Sequence, residues 1–67
     1  MDVRRRVGLN VKRLREAQGI SQEDLADRAG VHRTYVSGVE RGVRNPTITV
    51  LEKIAGALGA KLATLVD

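Results

Sequence analysis

The sequence predicts an all-α fold, with five short helices packed as one compact domain over residues 1–67. Three observations predict it. Apolar residues recur at helical spacing along the chain, and no stretch shows the period of two that a half-buried strand requires. Glycine or proline punctuates the pattern at Gly19, Gly30, Gly42, Pro46 and Gly59, where helices are expected to stop. Residues 21–42 hold two of these segments joined by a tight turn, and the rest of the chain reads as what holds and aims them.

The first helix is predicted over about residues 3–18. Val7, Val11 and Leu14 form its core stripe, and Arg4, Arg5, Lys12 and Arg13 fall largely on its other faces. Gly19 stops it, and Ile20 is placed to pack back onto the next helix. Ser21 can cap the second helix, residues 22–29, through its hydroxyl. Glu23 and Asp24 in its first turn and Arg28 near its end each match the helix dipole. Leu25, Ala26 and Ala29 give it one apolar face. Gly30 permits the positive φ of an abrupt reversal.

The third helix is predicted over residues 33–41. Val36 and Val39 point inward, while Arg33, Thr34, Ser37, Gly38 and Arg41 cluster on the opposite side. That outer face is polar, partly cationic and rich in hydrogen-bonding groups. His32 stands at the cap position, where it is a weaker cap than serine or threonine. Helix, glycine turn, helix is the sequence form of a helix-turn-helix unit.

Pro46 disfavours helix at Asn45 and makes residues 43–46 a loop. Thr47 then caps the fourth helix, residues 48–58, whose stripe is Ile48, Leu51, Ile54, Ala55 and Leu58. A last short helix over residues 61–66 brings Leu62, Leu65 and Val66. Gly8, Gly38 and Gly56 lie inside helices, each at a cost of about 1 kcal/mol relative to alanine. Simple tolerance accounts for such positions. Alternatively, Gly38 admits the close approach of a ligand backbone and Gly56 admits close helix packing.

A chain of 67 residues buries only about 60% of its unfolded surface, so its stability is small. It has no cysteine, which excludes disulfides, thiol chemistry and cysteine-based metal sites and suits a cytoplasmic protein. The lone histidine, His32, does not make a metal site. No nucleophile–base set and no glycine-rich phosphate loop is present, so an enzyme is not expected, and neither is a cofactor or a small-molecule ligand. No apolar run approaches the roughly 20 residues of a membrane span. The basic N-terminus leads into no signal core. The net charge of +4 lies wholly in residues 1–45, where ten Lys and Arg face six Asp and Glu. That imbalance suits an anionic partner such as nucleic acid, a solubilising surface being the alternative.

Several residues together carry a resemblance. They are Ser21-Gln22-Glu23-Asp24-Leu25-Ala26, Gly30, Val36 with Val39, Glu40-Arg41-Gly42 and Asn45-Pro46-Thr47. They resemble the XRE family of helix-turn-helix regulators, the lambda-repressor-like proteins among them, over nearly the whole chain. The run from Arg33 to Arg41 is most similar to the small dimeric controller proteins of restriction–modification systems. The resemblance implies that the third helix enters the DNA major groove and the second lies across the backbone.

Arg33, with its forked guanidinium, would then read a guanine edge, a phosphate contact or a solvated charge being the alternative. Thr34 and Ser37 would bond base edges or phosphates, plain helix-surface residues being the alternative. Tyr35 fits a core edge or a DNA contact equally. Gln22 would bond a phosphate through its amide or the helix N-terminus. Arg44 and Asn45 would hold the phosphate across the groove, a plain polar loop being the alternative, and His32 would meet a further phosphate or simply stand exposed. Arg15 and Glu40 match family positions that form a partly buried ion pair. The function implied is a sequence-specific DNA-binding transcription regulator acting as a homodimer on a palindromic operator. Val50, Leu62, Leu65 and Val66 are its candidate dimer surface, with core closure an equal reading of Leu62 and Leu65. The alternative function is a protein-interaction module, an antitoxin or adaptor in which DNA binding is secondary.

Overall fold

Three helices begin at a residue whose side chain can accept a free backbone N–H. In the computed structural model, which describes residues 2–67, Asp2 Oδ1 accepts from Arg4 N at 2.8 Å and opens α1 (Val3–Ala17). Ser21 Oγ accepts from Asp24 N at 3.0 Å, while Asp24 Oδ2 accepts from Ser21 N at 3.3 Å. This reciprocal pair opens α2 (Gln22–Ala29). Thr47 Oγ1 accepts from Val50 N at 3.2 Å and opens α4 (Ile48–Ala57). Two helices, α3 (Arg33–Glu40) and α5 (Leu62–Val66), start without a side-chain cap.

The fold is therefore all-α, with five helices in the predicted order and no strand among the described residues. Differences from the predicted ends amount to one residue each. Gln18, Arg41, Leu58 and Lys61 are terminal caps rather than helix interior, as helix ends commonly differ by a residue. Gly30 takes φ 71° and ψ 33°, and Val31 N donates to Ala26 O at 3.0 Å. The left-handed glycine thus closes α2 and reverses the chain within one residue.

One buried cluster draws on every helix. It holds Val7 and Val11; Leu25, Ala26 and Ala29; Val36 and Val39; Leu51, Ile54 and Ala55; then Leu58 and Leu65. α3 packs on α1 and α2, α2 also rests on α4, and α5 bridges α1 and α4. Asn10 Nδ2 donates to Leu65 O at 2.9 Å, and Gln18 Nε2 donates to Leu58 O at 2.7 Å. Each satisfies a carbonyl at a helix end and ties α1 to the C-terminal part of the chain.

The burial pattern corrects three expectations. Leu65 is fully buried in the core, so it closes the fold and has no surface to offer a second chain. Ile48 is 60% exposed, so the buried stripe of α4 begins one turn later, at Leu51. Gly56 has nothing within 4 Å of where a Cβ would stand, so it admits no close packing of helices. The close approach occurs at Gly8 instead. A Cβ there would collide with Val39 O and stand 2.6 Å from Glu40 O.

These two glycines should respond in opposite directions to alanine. Gly8→Ala should destabilise the fold by about 1–3 kcal/mol through overpacking. Gly56→Ala should stabilise it by up to about 1 kcal/mol through helix propensity. Denaturant unfolding of the two variants beside the parent measures both.

Candidate nucleic-acid interface

The site is built on a carboxylate that the fold buries. Glu40 ends α3 with a side chain 3% exposed. A buried carboxylate is tolerated only when paired and hydrogen-bonded. Arg15 Nε donates to Glu40 Oε2 at 2.7 Å and its Nη2 donates to Oε1 at 3.0 Å, a two-pronged ion pair. Arg15 Nη1 also donates to Ile20 O at 2.9 Å. Gln22 Nε2 donates to Glu40 Oε1 at 3.0 Å. The hydrogen bond to Glu40 raises the Arg15 pKa above its ordinary value. One network therefore joins α1, the α1–α2 connection, the start of α2 and the end of α3.

Pinned from behind in this way, α3 presents its other side outward. Arg33 and Thr34 in its first turn are exposed, and Ser37 one turn on is half-buried. Arg33 lines a shallow open notch with Arg15, Ser21, Gln22 and Glu23, so the starts of α2 and α3 lie together. His32 is exposed and its side chain caps nothing. Arg44 and Asn45 are exposed in the loop after α3. Among the described residues, Arg33, Arg41 and Arg44 form no ion pair. No group of His, Cys, Asp and Glu there is placed to hold a metal ion.

Two placements differ from the sequence reading. The Gln22 amide donates to Glu40 Oε1, beside the bond from Arg15 Nη2, rather than standing free for a phosphate. Gly38 is buried rather than exposed. The chain after Gly42 folds back, with Val43 N donating to Gly38 O at 3.0 Å, and the Arg44 stem covers Gly38. Helical phase put Gly38 outward, and no local signal announces the returning loop. Tyr35 is half-buried against the core, and the Arg44 guanidinium carbon lies 5.5 Å from its ring centroid. Of the apolar surface candidates, Val66 is exposed, and Val50 and Leu62 are half-buried.

A helix with a polar, arginine-bearing outer face, joined to a second helix through a glycine turn and held by its inner face, is a helix-turn-helix DNA-binding module. The chain belongs to the helix-turn-helix family, whose model matches residues 11–65. It is a transcriptional regulator and not an enzyme. It is 46% identical over 66 residues to an HTH-type transcriptional regulator, y4dJ, of Sinorhizobium fredii, across 98% of this chain and 86% of that one. It is 40% identical over 67 residues to the control protein C.BamHI of Bacillus amyloliquefaciens, across 98% and 83% of the two. The crystal structure of the restriction–modification controller protein C.AhdI from Aeromonas hydrophila superposes with a TM-score of 0.90 at 42% identity. That match covers 92% of this chain and 94% of that one.

Removing one partner of the buried pair should be costly. Glu40→Ala leaves Arg15 uncompensated at 12% side-chain exposure, and it should lose about 3–5 kcal/mol of unfolding free energy. Replacing both charges by apolar residues, Arg15→Met with Glu40→Leu, should recover most of that loss. Chemical denaturation of the three proteins measures the difference.

Proposed function

We propose that this regulator binds a palindromic DNA operator as a homodimer, with α3 in the major groove. The observation that carries the reading is the first turn of α3. Arg33 and Thr34 stand exposed there, and the other end of the helix is fixed through Glu40. The Arg33 fork matches guanine O6 and N7. Thr34 and Ser37 bond neighbouring base edges or phosphates, and His32 a phosphate. Gln22 orients Glu40, so the free backbone N–H groups of the first turn of α2 take the phosphate beside it. Arg44 and Asn45 hold the phosphate across the groove.

A single module of residues 1–67 touches too few base pairs to be selective, so two copies share the site. Val50, Leu62 and Val66 remain the dimer candidates, and exposed Ile48 joins them on α4. The reading puts the protein in the cytoplasm beside DNA. No described helix is long and apolar enough to cross a membrane.

Selection from random duplexes should return a two-fold symmetric site with half-sites about 34–36 Å apart. Each phosphate contact should add about −0.9 to the slope of log affinity against log salt. Arg33→Ala should relax preference at one base pair by about 1–3 kcal/mol. Weak and equal binding to every duplex would overturn the reading. Light scattering should show a dimer that Ile48→Glu combined with Val66→Glu converts to monomer.

A further inference from the structure

Beside Ser37 in the second turn of α3, Gly38 offers no side chain to read with. The space is filled from elsewhere. Arg44 lays its aliphatic stem over Gly38, where an added Cβ would collide with Arg44 Cγ and stand 3.5 Å from its Cβ and Cδ. The loop is fastened in that position. Val43 N and Arg44 N both donate to Gly38 O, at 3.0 and 3.2 Å. Beyond the stem, the guanidinium carbon lies 5.5 Å from the centroid of the Tyr35 ring, within cation–π range. Tyr35 packs against the core, so the ring is an anchored platform. Arg44 itself is exposed and pairs with no carboxylate among the described residues.

We propose that Gly38 is a positioning residue for DNA binding. Its missing side chain seats Arg44, and the loop arginine, backed by Tyr35, takes the place of a helix side chain in the second turn of α3. The inference rests on the DNA-binding reading above. Its physical basis is preorganisation. A long side chain already held in one place loses less freedom on binding than one swinging in solvent. The acceptor is a hydrogen-bonding oxygen or nitrogen of DNA, on a guanine edge or a phosphate, and both suit the guanidinium fork.

The seating is tested without DNA by proton NMR of the full chain. Ring current from Tyr35 should shift the Arg44 Cδ protons upfield, and Gly38→Ala should return them toward the values of a free arginine. Unchanged shifts in a folded Gly38→Ala would overturn the seating. The DNA role is tested on the selected duplex. Arg44→Ala and Gly38→Ala should each weaken binding by about tenfold. The double variant should bind no worse than Arg44→Ala alone, because Gly38 acts only through Arg44. With the arginine stem gone, that variant has room for the new Cβ, so it also controls for folding.

Loss of preference at one base pair identifies a guanine. Equal loss on all duplexes, with the salt slope smaller by about 0.9, identifies a phosphate. Gly38→Ala binding as tightly as the parent, or additive losses in the double variant, would overturn the proposal. Absence of any selected duplex would overturn the DNA reading itself, a result distinct from the NMR outcome.

Discussion

The structure depends on the neutralisation of Glu40. Its carboxylate sits at the end of α3 almost out of reach of water, and an unpaired charge there would not be tolerated. Arg15 from α1 donates to both its oxygens, and Gln22 from α2 adds a second bond to Oε1. Arg15 in turn binds the carbonyl of Ile20, which fixes the chain between α1 and α2. The relative placement of three helices thus follows from the coordination of one side chain. Apolar packing alone would tolerate a wider range of helix angles, since it is non-directional. The hydrogen-bonded pair narrows that range, and with it the direction in which the outer face of α3 points.

The same two helices, α1 and α3, also approach closely through their backbones. Gly8 provides the approach, because any larger residue would meet the carbonyls of Val39 and Glu40. At Gly42 the stem of Arg5 packs where a Cβ would stand, and the backbone there has φ 76°. A glycine inside a helix costs about 1 kcal/mol in propensity. Burial of Val7, Val11, Val36 and Val39 between the same helices offsets it, each contributing on the order of 1.5–3 kcal/mol. A position where local preference loses to tertiary need marks a constraint of the whole fold. Gly8 and Glu40 mark the same one, since the backbone contact and the ion pair join the same two helices.

Periodicity and capping made the helices legible in the sequence. Ser21, Thr47 and Gly30 mark boundaries that the structure keeps, because caps and turns are set by local chemistry. The inward residues of α2 and α3 were equally plain. What stayed hidden is contact between segments. Helical phase gives a direction around one axis and is blind to what another segment lays over it. Gly38 therefore read as open surface, although the loop carrying Arg44 covers it. Gln22 read as a phosphate ligand through its amide or the helix N-terminus, and Glu40 engages the amide. Leu65 read equally as interface or core, and Ile48 read as core, because a short terminal helix and a first helical turn have too few residues for phase to decide. The three glycines within helices carried the same signal in sequence, and only the neighbours of each separate Gly8 and Gly38 from Gly56.

The arginines divide by the same physics. Arg15 and Arg4 are matched by Glu40 and Asp2, so their charges cancel within the chain. Among the described residues the other seven arginines form no ion pair, and three of them, Arg33, Arg41 and Arg44, lie on α3, at its C-terminal cap or on the loop that folds back on it. Like charges gathered on so small a body repel one another, which disfavours the compact state. Salt screens that repulsion over about 10 Å at 0.1 M, and an anionic ligand removes it. α3 also begins without a side-chain cap, so little at its own N-terminus holds it in place. Its position must come from the buried side. Val36, Val39 and Glu40 supply that restraint from the face turned away from solvent, which leaves the outer side chains free to meet a ligand without being needed for the fold.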